Sequence, residues 1–220
     1  MLAYMTTSPV PVVAVVNQKG GVGKTTTVLG LASAAATTGR RVLVVDADPQ
    51  ANATTALDVD MSKGFTTDDV IEADAKGCAS DAVAATSWGE DILAIPSALS
   101  LASRENDSGL GNEYRLQKAL RGVPEALGVD LVLIDCPPSV GRIVSNALIA
   151  STHVLIVTEP AAPAIAGVEN LIATVGVVRE HYQPDLVIAG VVVNGMPGRS
   201  REATARLEEL TEALGADLWE

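Results

Sequence analysis

Aromatic residues are scarce in this chain of 220: one phenylalanine, two tryptophans and three tyrosines, 3% in all. A core without them must be packed from small aliphatic side chains, and with 48% hydrophobic residues the chain has enough of these for a sizeable one. Cysteine is scarce as well. Cys78 and Cys136 are too few for a disulfide framework, and Cys78 has no partner at metal-ligand spacing. No apolar run has the length of a membrane span, and the first residues lack a basic stretch ahead of an apolar one, so the chain is expected in the cytoplasm. Basic residues are outnumbered, 15 Lys and Arg against 27 Asp and Glu, for a formal net charge of -12. Spread evenly, that charge repels nucleic acid, which is bound nonspecifically by setting Lys and Arg against phosphates. No repeat or low-complexity tract divides the chain. A short arm, residues 1–9, and one domain, residues 10–220, are expected.

What is present is a regular alternation. Apolar runs near 12–17, 41–46, 91–95, 130–135, 153–158 and 186–193 are rich in valine and isoleucine, and helical stretches rich in alanine separate them. The alternation predicts an α/β fold, a mostly parallel twisted sheet with helices on both faces. Residues 61–111, with glycines, short helical stretches and many small polar residues, read as connecting loops around one strand rather than as a second domain.

The first run, Val10 to Val16, leads into Lys19-Gly20-Gly21-Val22-Gly23-Lys24-Thr25-Thr26, and an alanine-rich segment, Thr25 to Thr37, follows. A glycine-rich loop between a buried strand and a helix is a phosphate cradle. Gly20, Gly21 and Gly23 lack a Cβ, so the N–H groups of this stretch, Val22 included, can converge on phosphate oxygens, and the helix adds the positive end of its dipole. Lys24 is placed to reach the β and γ phosphates of a bound nucleotide, Thr25 to coordinate Mg²⁺ through its hydroxyl, and Thr26 to donate to the α phosphate. The general motif has glycine five residues before Gly23; this chain has Gln18.

Two further apolar runs end in acids. Arg41 to Thr54 reads Arg-Val-Leu-Val-Val-Asp-Ala-Asp-Pro-Gln-Ala-Asn-Ala-Thr, setting Asp46 and Asp48 where a buried strand stops. Asp130 to Ser139 reads Asp-Leu-Val-Leu-Ile-Asp-Cys-Pro-Pro-Ser, with Asp135 in the Walker B position to hold Mg²⁺ through water. Carboxylates at the carboxyl edge of a parallel sheet face the ligand crevice.

With Gln18 in place of glycine and Lys19 ahead of the glycine pair, the loop resembles the deviant Walker A box of the ParA/MinD family, and the Asp46–Thr54 and Asp135–Ser139 segments resemble that family's two switch segments. The resemblance implies an ATPase working with ATP and Mg²⁺. It implies that Lys19 reaches across a sandwich homodimer to the partner's ATP, as an arginine finger does elsewhere. It further implies that Asp48 orients the attacking water, that Asp46 supports the magnesium shell, and that residues 139–141 respond to the γ phosphate. Ala164-Ile165-Ala166-Gly167 resembles the segment opening the helix after the fifth of the strands above, and Asn194 stands where relatives set an asparagine against adenine.

Among relatives the chain is similar to the ParA/Soj partition ATPases. Expected from that likeness are nonspecific DNA binding by the ATP-bound dimer, association with the nucleoid in that state, and a ParB-like, centromere-binding activator with a basic arm. Arg199 aligns with an arginine used on DNA, and Arg201 lies beside it. Two readings of this segment stand: a local basic patch, or a helix start laced with ion pairs to Glu202, Glu208 and Glu209. The acidic tail lacks the basic amphipathic helix of MinD-type proteins, so no membrane partner is expected, and the stretch before the first strand is too short for a helix-turn-helix. The family's last strand and helix are expected to be absent after residue 214. The alternatives are a small-substrate P-loop enzyme, a reductase with an iron–sulfur cluster bridging two subunits, or an assembly adaptor that binds ATP without hydrolysing it.

Overall fold

The computed structural model describes residues 9–161, 164–195 and 201–219. In chain order these form β1 (Val12–Val16), α1 (Lys24–Thr37), β2 (Val42–Asp46), α2 (Asn52–Ala56), α3 (Thr67–Ala73), α4 (Ala79–Ala82), β3 (Ala84–Ala85) and β4 (Ile92–Ile95). Next come α5 (Arg115–Leu120), α6 (Val123–Leu127), β5 (Leu131–Asp135), α7 (Arg142–Ala150), β6 (His153–Thr158), α8 (Ala164–His181), β7 (Val187–Val193), α9 (Arg201–Leu214) and β8 (Leu218–Trp219). One sheet runs β3-β4-β2-β5-β1-β6-β7-β8, parallel except for β3 against β4. All six predicted strands are present, and α8 opens at Ala164.

Period-two alternation along the central strands builds two cores. Ala14 and Val16, Leu43 and Val45, and Val132 and Ile134 point to the face covered by α3 to α8, while Val15, Val42, Val44 and Leu133 point to the face covered by α1 and α2. Strands buried on both faces need no polar alternation, which is why they read as unbroken apolar runs.

Two expectations need correcting. Residues 61–111 hold the expected short helical stretches, α3, α4 and a 3₁₀ segment (Leu99–Asn106), but two strands rather than one, β3 besides β4. Thr66 starts α3 with a capping box, trading bonds with Asp69, and so ends the irregular stretch. A short strand, β8, also follows α9, where none was expected. The Trp219 indole donates to the Ala189 carbonyl at 2.9 Å, and the chain lies so close to Gly190 that a Cβ there would collide with the ring. At the opposite edge, beside β3, Trp88 donates through its indole to the Ala56 carbonyl at 3.0 Å, at the end of α2.

Candidate functional site

The carboxyl ends of β1, β2 and β5 lie side by side, with Val15 of β1 and Asp46 of β2 both in register with Asp135 of β5. Over them passes the glycine loop. Gly21 and Gly23 have φ of 80° and 94°, left-handed values that favour glycine. Gly23 is constrained twice, because a Cβ on it would collide with the Asn194 amide, which donates to the Val22 carbonyl at 2.9 Å. Asn194, expected to read adenine, is thus held against the loop itself.

Lys24 is in the first turn of α1 and is 7% exposed; its Nζ donates to the Lys19 carbonyl at 3.3 Å. Burial lowers its pKa below the usual lysine range, against the opposing pull of Asp135, Cys136 and Asp48. Thr25 and Thr26 follow in the same turn, Thr26 exposed. Asp135 is fully buried, and neither carboxylate oxygen has a hydrogen-bond partner. Burial raises its pKa to about 7; Asp46 and Asp48 push it the same way, while the Thr25 hydroxyl, close by but outside hydrogen-bonding geometry, and the Lys24 ammonium oppose the rise. An unpartnered carboxylate in such a place costs free energy unless a cation meets it.

Asp46 is treated differently. One oxygen accepts from the backbone N–H and the hydroxyl of Thr54, at 2.8 and 2.7 Å, and the other accepts from the Asp48 N–H at 3.1 Å. Burial still raises its pKa, and these bonds partly offset the rise. Asp48, 7% exposed, accepts from the Gln50 N–H at 2.9 Å. The turn closes with Ala51 at φ 54°, a left-handed value uncommon outside glycine.

An Mg²⁺ ion fits this donor set. Among the described residues no cluster of three His, Cys, Asp or Glu side chains could hold an ion alone. A hydroxyl, that of Thr25, and the unpartnered Asp135 carboxylate are the groups that would hold such an ion, with phosphate and water as further ligands.

Lys19, expected to point towards a partner, is 57% exposed along its side chain, and its ammonium pairs with Glu159. Sequence reasoning missed Glu159, and also Asn17, 7% exposed, which accepts from the Lys19 N–H at 2.8 Å and donates to the Val157 carbonyl. It missed Thr54, although that residue closes the quoted Asp46–Thr54 segment. Thr54 also accepts from the Ser97 N–H at 2.8 Å and so ties the segment to the loop after β4.

Ser139 is half-buried with its hydroxyl unpartnered, and Gly141 caps α7, where Glu105 accepts from the Arg142 N–H at 2.6 Å. Cys136 is fully buried; its thiol faces the Ile134 carbonyl, and burial raises its pKa far above the usual range. That thiol is poorly placed to bridge a cluster between subunits. Arg199 lies outside the described residues. Arg201 is exposed at the start of α9, and further along that helix Arg206 pairs with Glu209 at 2.7 Å. No helix among the described residues is long and apolar enough to cross a membrane.

Comparison with known proteins agrees with this geometry. Residues 10–188 match the AAA_31 family, an AAA domain. The chain is 37% identical over 202 residues to the sporulation initiation inhibitor protein Soj of Bacillus subtilis, covering 90% of this chain and 78% of Soj. It is 38% identical over 191 residues to the chromosome partitioning protein ParA of Caulobacter vibrioides, covering 86% and 71%. Among solved structures, cobyrinic acid a,c-diamide synthase from Mycobacterium smegmatis, with bound ADP and magnesium, superposes with a TM-score of 0.82 at 32% identity, covering 93% of this chain and 82% of the other.

Proposed function

Because the chain belongs to the ParA/MinD-type ATPases, its AAA domain matched over residues 10–188, we propose that it is a partition switch in which ATP joins two copies and hydrolysis parts them. It is an α/β ATPase that uses ATP and Mg²⁺. One observation carries the site assignment: Asp135, buried with both oxygens unpartnered, stands beneath a glycine loop whose buried Lys24 rests on that loop's own carbonyl. A site that holds an unpartnered anion and a loosely held cation is arranged for a metal and a phosphate.

Each residue then has a task. The N–H groups of Gly20, Gly21, Val22 and Gly23 cradle the phosphates, with Thr26 on the α phosphate, and Lys24 leaves the Lys19 carbonyl to offset charge on the β and γ phosphates. Thr25 and Asp135 would hold the Mg²⁺, which would supply further charge compensation to the phosphates. Asp48 orients the water for in-line attack. Asp46, with both oxygens engaged, pins the Asp48 turn and would support the ion's shell from there. Asn194 orients adenine from the loop, and Lys19 acts on the partner subunit's phosphates.

The ATP-bound dimer places Arg199 and Arg201 of both subunits on DNA, nonspecifically, so the protein moves between cytoplasm and nucleoid. A ParB-like protein with a basic arm accelerates turnover. One finding favours a second reading, that of a small-substrate enzyme: the 32% identity to a cobyrinic acid a,c-diamide synthase. ATPase rates measured with and without DNA and the product of a neighbouring gene separate the two. Stimulation supports the switch, and full turnover on a small substrate without any protein activator overturns it.

A further inference from the structure

Lys19 is held within its own subunit. Its ammonium sits on the carboxylate of Glu159, 140 residues along the chain. The fold dictates the meeting: β1 and β6 are adjacent and parallel, Val16 is in register with Ile156, and the two residues emerge just past the same edge of the sheet. Buried Asn17 fixes the base of the pair, bonded to the Lys19 N–H on one side and to the Val157 carbonyl on the other. The Lys19 backbone is therefore fastened to β6, while its side chain, 57% exposed against 29% for Glu159, lies at the solvent boundary with that carboxylate as its partner.

We propose that Glu159 is a latch on Lys19, competing with the partner subunit's triphosphate and so setting the protein concentration at which the ATP-bound dimer forms. The proposal rests on the reading of Lys19 as acting across the dimer. An ammonium tied to a neighbouring carboxylate is not available to an anion on another molecule, so each subunit must give up its Lys19–Glu159 pair before the dimer closes. A second hold loosens on the same event. Lys24 donates to the Lys19 carbonyl at 3.3 Å, and a Lys24 drawn onto phosphate releases that carbonyl. Nucleotide binding thus frees the Lys19 backbone from one side, and the partner's phosphates draw the side chain from the other. Both members of the pair are partly solvated, so each pair shifts an equilibrium by about 1.4- to 5-fold. A symmetric dimer breaks two, and the combined effect is about 2- to 25-fold.

The test is sedimentation velocity on the full chain with Mg²⁺ and a non-hydrolysable ATP analogue over a range of protein concentrations. Glu159→Gln, which keeps the shape and removes the charge, should dimerise at about 2- to 25-fold lower concentration. Its affinity for the analogue, measured on the monomer, should not change. Unchanged or weakened dimerisation overturns the latch, the weakened case meaning that Glu159 aims Lys19 at the partner. Lys19→Ala separates this failure from that of the parent reading. If Lys19→Ala stays monomeric and Glu159→Gln is unchanged, Lys19 acts across the dimer and the latch is wrong. If Lys19→Ala dimerises normally, the action across the dimer is itself wrong and the latch falls with it. In the Lys19→Ala background, Glu159→Gln should add nothing; a gain there also overturns the latch.

Discussion

Asp46 and Asp135 are register partners on adjacent strands, yet every oxygen of the Asp46 carboxylate is bonded by its own chain and neither oxygen of Asp135 is. The first carboxylate organises the protein, and the second waits for something the protein does not supply. Without metal, burial lets Asp135 keep its proton up to about pH 7 in the folded chain, against 3.8 as the ordinary value. A group whose folded pKa is raised lends stability below its unfolded pKa and loses it as pH climbs through the folded one. The nucleotide-free protein should therefore lose stability, on the order of 4 kcal/mol at most, between about pH 4 and pH 8. Thermal melts across that range check this. Mg²⁺ with ATP should remove most of the slope, and Asp135→Asn should reduce it to the part that Asp46 contributes while abolishing Mg²⁺-dependent hydrolysis.

Lys24→Ala removes the cation that acts on Asp135 and the charge proposed to meet the phosphates. Nucleotide affinity should fall by about 100-fold or more, the scale of truncating one member of a buried charge pair. Calorimetric titration with ATP and Mg²⁺ reads it directly. Retained affinity would move the phosphate site away from this loop.

Asp48→Ala should leave ATP-dependent dimerisation intact and lower the hydrolysis rate by about 100- to 10,000-fold, the range for a positioned acid–base group. Single-turnover hydrolysis by the preformed dimer isolates that step. Normal turnover would remove Asp48 from the water-orienting role.

Thr54→Val keeps the shape but deprives Asp46 of a hydroxyl donor and the Ser97 N–H of its acceptor. Stability should drop by about 2 to 3 kcal/mol, with a buried donor and part of a carboxylate left unmatched. Denaturant unfolding measures the loss, and hydrolysis should slow with it because the Asp48 turn hangs on Asp46.

Gly23→Ala meets both a φ of 94° and the Asn194 amide. A cost of about 1 to 3 kcal/mol is expected from backbone strain alone. The double variant with Asn194→Ala should relieve the collision and leave the strain, so melting temperatures of the two single variants and the double partition the effects.

The architecture was legible because its strands are buried on both faces and so announce themselves as apolar runs, and the acids at their ends could be read with them. What stayed hidden was what depends on another part of the chain. Asn17 and Glu159 acquire meaning only from β6 lying beside β1, and Thr54 only from reaching back to Asp46 and across to Ser97. The short helices within residues 61–111 could not be placed because α3 and α4 span Thr67–Ala73 and Ala79–Ala82, too short to show a helical period. β8 is two residues long and is fixed by the fit of Trp219 over Gly190, which no local pattern encodes.

The two tryptophans sit at opposite rims of the sheet, each tethered through its indole N–H to a backbone carbonyl. Trp88 reports on the end of α2, a few residues beyond Asp48, and Trp219 on the far edge beside β7. Intrinsic fluorescence therefore gives this chain two native optical probes without any label: in single-tryptophan variants, a nucleotide-driven change in emission from residue 88 but not from residue 219 would localise the motion to the half of the molecule that carries Asp48.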